Sequence, residues 1–109
     1  MLQKANIEEL HTFTAREGVT RRVFSGKNSM LVRNEIEPFA KPALHNHPQE
    51  QITYIVAGNC DFILGEKVIP MGPGDLILVP PNIDHTIKPV GEEKIINVDV
   101  FSPIREDYL

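Results

Sequence analysis

Short β-like runs, each closed by a turn signal, fill the chain from residue 19 onward, and this punctuation restricts the fold more than any other feature. Residues 19–24 end in Ser25-Gly26-Lys27-Asn28-Ser29, and residues 30–37 end at Pro38. Residues 51–57 close on Gly58-Asn59, and residues 60–64 close on Gly65-Glu66, a pair of the Gly-X form that two-residue hairpins favour. After a short run at 67–70 comes Gly72-Pro73-Gly74-Asp75, in which proline presets φ and glycine tolerates positive φ. Residues 76–79 end at Pro80-Pro81-Asn82, and further runs occupy 85–87 and 94–101. Nine prolines and seven glycines in 109 residues are many for a helical bundle and suit short strands and turns. The expectation is one all-β domain, a sandwich or barrel, spanning 1–109, with its core at about 19–101 and an irregular tail at 102–109. Tyr108 and Leu109 are read as packing residues of that tail.

Residues 1–18 say less. Asn6 and Glu9 have capping-box spacing over a single helical turn, with Ile7 and Leu10 as its apolar contacts, and Gly18 marks a turn. The net charge of -4 argues against nucleic acid as a partner, because general affinity for it needs basic surface. No apolar run approaches the ~20 residues of a membrane span, and residues 1–6 lack the apolar core of a signal peptide. A cytoplasmic protein with no membrane partner is expected. The single cysteine, Cys60, forms no internal disulfide and sits in a strand-like run that suits a packed thiol. Arg21 and Arg22 read as solvated charges on an edge strand.

His45 and His47 are separated by one residue, so in an extended segment their imidazoles share a face and can share a metal ion. His85, beside a downstream turn, offers a third imidazole. His45-x-His47-x3-Gln51-x6-Gly58 and Gly74-x5-Pro80-x-Asn82-x2-His85 resemble the two motifs of the cupin superfamily. Four positions depart from that pattern: Phe39 and Asn82 stand where glycines occur, Gln51 where glutamate is usual, and Pro89 in place of the terminal Asn. Asn82 is a mild change, because Asn also tolerates the left-handed region. The resemblance implies a jelly-roll barrel (a double-stranded β-helix) holding one divalent metal through His45, His47, Gln51 and His85. Glu50 is the competing ligand, but its neighbour Gln51 takes the opposite face of a strand. Imidazoles and an amide oxygen suit Zn, Fe, Ni or Cu, and Mn less well. Because all four ligands are neutral, the ion keeps its full charge and favours an anionic partner.

In the last run, alternation places Ile95, Asn97, Asp99 and Phe101 on one face. Polar residues on the inner face of a small barrel suit a ligand cavity. There Asp99 can serve as general acid or base, Phe101 as a wall for a sugar-like ring, and Arg105 as a clamp on a carboxylate. The structural alternatives are a solvated Asp99 or a buried one met by backbone donors, a core Phe101, and an Arg105 paired with Glu106 or Asp107.

The tail from Asp99 to Leu109, and the stretch from His47 to Tyr54, resemble the small cupins that linearise 4,5-unsaturated uronates in pectin and alginate breakdown. The resemblance implies ring opening and enol-to-keto tautomerisation of a small anionic sugar acid, with Asp99, Phe101 and Arg105 in the reaction, and a homodimer. A metal-dependent dioxygenase and a non-enzymatic sugar-binding cupin are the alternatives. Binding cupins that act as regulators carry a fused DNA-binding domain, for which 109 residues leave no room.

Overall fold

Period-two alternation builds the sheets of this computed structural model, which describes residues 3–109. Met1 and Leu2, where the segment read for a signal peptide begins, lie outside the described residues. The strands are β1 (Phe13–Arg16), β2 (Val19–Ser25), β3 (Met30–Ile36), β4 (Glu50–Ala57), β5 (Asn59–Leu64), β6 (Lys67–Met71), β7 (Leu76–Val79), β8 (His85–Val90) and β9 (Ile95–Ser102). They form a six-stranded sheet in the order β1-β2-β3-β9-β4-β7 and a three-stranded sheet in the order β6-β5-β8, with every pairing antiparallel. The turn spacing led to an all-β sandwich or barrel, and the arrangement is the jelly roll that the resemblance to cupins implied. Among the described residues no helix is long and apolar enough to cross a membrane.

The two sheets bury their facing rows. In β4 Gln51, Thr53 and Ile55 are buried, whereas Glu50, Ile52, Tyr54 and Val56 are exposed. In β9 Ile95, Asn97, Asp99 and Phe101 are buried. One apolar cluster gathers Val19, Ile36, Ile55, Phe62, Val79 and Ile95; a second, smaller one holds Met30, Val32 and Phe101. Between them a polar belt crosses the large sheet. Arg21 lies opposite Asn34, Asn34 opposite Asn97, and Asp99 opposite Thr53.

Gly58 closes the β4–β5 turn at φ 81, and a Cβ there would lie 2.5 Å from the Lys94 carbonyl oxygen. Only glycine fits that approach. Two segments differ from expectation. The stretch before Gly18 carries a strand, β1, which is only four residues long and pairs to β2 through an irregular register. Its short 3-10 turn at Ile7–Glu9 is capped by Asn6, whose side chain accepts from Glu8 N at 2.9 Å, not from Glu9. The tail adds a second 3-10 turn, Glu106–Tyr108, and leaves Leu109 exposed while Tyr108 packs against Phe101. Arg22 is not simply solvated: it reaches the Ile7 carbonyl at 3.0 Å and pairs with Glu8.

Candidate metal centre

A backbone bridge brings the two histidine segments together. His45 N donates to the His85 carbonyl at 3.1 Å, and His85 N donates back to the His45 carbonyl at 2.9 Å. His47 is anchored when Asn82 N donates to its carbonyl at 2.8 Å. Asn82 adopts φ 63, the left-handed conformation a glycine would take in this turn. Ligand-capable nitrogens of His45, His47 and His85 all lie within 4.8 Å of one another.

Each imidazole points a lone pair inward. Nδ1 of His45 faces the Ala43 carbonyl at 3.0 Å, Nδ1 of His47 faces that of Gln49 at 3.1 Å, and Nδ1 of His85 faces that of Ile83 at 2.7 Å. A carbonyl only accepts, so each Nδ1 carries a hydrogen, which leaves Nε2 of each ring as the atom that can face an ion. Burial depresses the His47 pKa, and pushes that of His85 down to about 4, so both rings are neutral near pH 7.

Gln51 completes the group. Its amide nitrogen donates to Thr53 Oγ1 at 2.7 Å and to Asp99 Oδ1 at 3.2 Å, which turns its oxygen to within 2.9 Å of His47 Nε2. Two lone-pair atoms therefore face each other in a buried site, and His85 Nε2 is buried without a hydrogen-bond partner. A cation resolves both conflicts, so these residues fit a metal ion held by three imidazole nitrogens and one amide oxygen. Glu50, exposed on the outer face, is turned away from this group.

Asp99 is 7% exposed and is met by side chains, not by the backbone. Oδ1 accepts from Gln51 at 3.2 Å, Thr53 at 2.7 Å and Asn97 at 3.0 Å; Oδ2 accepts from Asn34 at 2.8 Å. Burial lifts the carboxyl from the ordinary 3.8 to about 6, against the opposing pull of these donors. Phe101 is buried edge-on against His47, with ring centroids 5.3 Å apart. Arg105 pairs with Asp107 at 2.8 Å and donates to the Tyr108 hydroxyl at 2.7 Å. Its guanidinium also lies over the Phe101 and Tyr108 rings, at 5.4 and 4.0 Å.

An inner cavity of about 70 Å³ reaches His45, His85, Gln51, Asp99 and Phe101. Beside it lies a wider mouth of about 380 Å³, bounded by Arg105, Asp107 and Asn46. Arg16, Arg21, His45 and Tyr108 line both. Sequence reasoning missed Asn34, Thr53 and Arg21. A signal was present for two of them: Asn34 interrupts an inward row between Val32 and Ile36, and Arg21 does so between Val19 and Val23.

Comparison with known proteins agrees with this geometry. A family model described as the cupin domain matches residues 32–101. The pectin degradation protein KdgF of Dickeya dadantii is 30% identical over 98 residues, covering 85% of this chain and 86% of that protein. Acireductone dioxygenase of Bacillus pumilus is 32% identical over 62 residues, 52% of this chain, but the match spans only 35% of that protein's length. Among solved structures, an RmlC-like cupin from Shewanella frigidimarina superposes with a TM-score of 0.87 at 26% identity, covering 100% of this chain and 97% of that one. KdgF from Halomonas sp. superposes with a TM-score of 0.84 at 25% identity, covering 94% of both chains. The chain belongs to the cupin family, and within it resembles KdgF.

Proposed function

We propose that this cupin is a metal-dependent cytoplasmic enzyme that opens the ring of 4,5-unsaturated monouronates and carries the resulting enol to the ketone, giving linear keto acids. The net change is an isomerisation, so no co-reactant is needed. The observation that carries the reading is the polar path from His47 through Gln51 to Asp99, which puts a carboxylate next to the candidate metal ligands on the cavity wall. Similarity to a pectin degradation protein over 85% of the chain supports the substrate class.

His45, His47, Gln51 and His85 would hold a divalent ion, which would supply positive charge to polarise substrate oxygens and stabilise oxyanion character. Asp99 moves the proton of the tautomerisation. Its Oδ1 is occupied by three donors and its Oδ2 by Asn34 alone, so Oδ2 is the atom with a lone pair to spare. Phe101 walls the sugar ring and keeps water from His47. Arg105 stands at the mouth, tied to Asp107 and to the Tyr108 hydroxyl and packed over the Phe101 ring. The test is nuclear magnetic resonance analysis of 4,5-unsaturated galacturonate incubated with metal-loaded protein. A linear keto acid formed faster than in the protein-free control supports the reading, and an unchanged spectrum discards it.

A second reading, a metal-dependent dioxygenase, draws on the match to acireductone dioxygenase. Substrate-linked oxygen uptake separates it from isomerisation, which consumes none.

We also propose a homodimer. Phe24 pairs with Leu31, Leu31 with Val100, Val100 with Ile52 and Ile52 with Leu78, forming one outward apolar row across β2, β3, β9, β4 and β7. All five side chains are exposed, between 37% and 54%. A row of this length is the kind of surface that a second copy covers.

A further inference from the structure

The mouth of the cavity contains an uncommitted cation. Tyr108 is stacked with two guanidiniums, Arg21 at 3.8 Å and Arg105 at 4.0 Å from the ring centroid. Both guanidiniums therefore pack against the one ring. Their bonding differs. Arg105 spends Nε and Nη2 on the two oxygens of Asp107 and Nη1 on the Tyr108 hydroxyl. The Arg21 guanidinium makes no hydrogen bond and no ion pair among the described residues, and its Nε is buried without a partner. Arg16 reaches the Lys41 carbonyl, and Arg22 and Arg33 pair with Glu8.

The buried Nε is an unmet donor, and both Nη groups, with no protein partner among the described residues, are free to meet a ligand. Arg21 lines both the inner cavity and the mouth, so an anion bound there also borders the histidine cluster. Tyr108 fixes the plane of the fork, which lowers the entropy lost on bidentate capture. We propose that Arg21, backed by Tyr108, is the carboxylate-binding residue of this cavity, and that Asp107 already neutralises the charge of Arg105. The ligand class is a small carboxylate, and its identity as a uronate rests on the function proposed above.

Calorimetric titration of metal-loaded protein with D-galacturonate, and with its uncharged methyl ester, tests this. Wild type is expected to prefer the acid by roughly tenfold or more, and Arg21→Gln to bind the acid about 10- to 100-fold more weakly with the ester little changed. Arg21→Lys, which keeps charge and loses the fork, should fall between. Arg105→Gln should lose less than Arg21→Gln. The proposal is overturned if Arg21→Gln keeps the acid-over-ester preference, or if wild type shows none. Should Arg21→Gln fail to fold, Arg21→Lys decides, because an unchanged acid-to-ester ratio there also overturns it. Arg21-dependent acid binding without turnover of the unsaturated uronate retains this site and discards the proposed reaction.

Discussion

Gln51 Oε1 lies 2.9 Å from His47 Nε2, although the partners of both side chains leave neither atom a hydrogen to share. This contact fits a cation, and on the proposed reading a single amide group would link such an ion to Asp99. Replacing Gln51 with Glu tests the linkage. The variant loses the donor to Thr53 and Asp99 and sets a second carboxylate beside the first. It should retain metal, because a carboxylate binds cations well, yet destabilise the metal-free protein by about 1–3 kcal/mol. Thermal melts in chelator, with metal content measured in parallel, check both parts.

Removing His85 should remove the metal. Wild type is expected to lose thermal stability when a chelator is added, because an ion that binds only the folded chain stabilises it. His85→Ala should melt at the same temperature with and without chelator. Elemental analysis of purified protein gives the independent check.

Asp99→Ala leaves the side-chain donors of Asn34, Thr53, Asn97 and Gln51 without their acceptor. It should abolish most of the rate acceleration, about 10²- to 10⁴-fold. Asn34→Ala removes the one donor to Oδ2 and should have a smaller effect on rate. Single-turnover kinetics on both variants, beside circular dichroism to establish folding, distinguish a proton carrier from a purely structural acid.

Cys60 is 2% exposed, and burial pushes its thiol from the ordinary 9.0 up to about 11. The unfolded chain ionises this thiol first as pH rises, so it binds fewer protons than the folded chain above pH 9. The thiol's contribution to stability is therefore full below about 9 and is lost as pH climbs through about 11. Alkylation at pH 8 should be slow in the native protein and rapid in denaturant. Mass spectrometry of iodoacetamide-treated protein measures the difference.

The outer apolar row predicts a separable effect. Ile52→Asp places a charge within the row without touching the cavity, since Ile52 faces away from Gln51 and Thr53. Sedimentation should show a dimer for wild type at micromolar concentration and a monomer for the variant. A wild-type monomer contradicts the assignment.

The strands were legible because turn residues bound them and alternation assigns their faces; β9 shows both rules at work. The same alternation separated Gln51 from Glu50. β1 was not legible, because four residues before a glycine turn carry too little pattern. The capping partner of Asn6 was also beyond spacing rules, since a 3-10 turn closes one residue sooner than an α-helix. The meeting of His45 with His85 depends on a tertiary bridge that spacing does not specify. Arg21 was read as an edge charge because β1, which covers that edge, was not legible, although Val19 and Val23 on either side mark its face as inward.

The most direct test of the central claim is the ultraviolet absorbance of freshly generated 4,5-unsaturated galacturonate, followed against its spontaneous decay in the presence of metal-analysed protein. The expected result is accelerated loss of absorbance that disappears with a chelator and in Asp99→Ala. Decay at the spontaneous rate, with the metal site fully loaded, contradicts the proposed reaction.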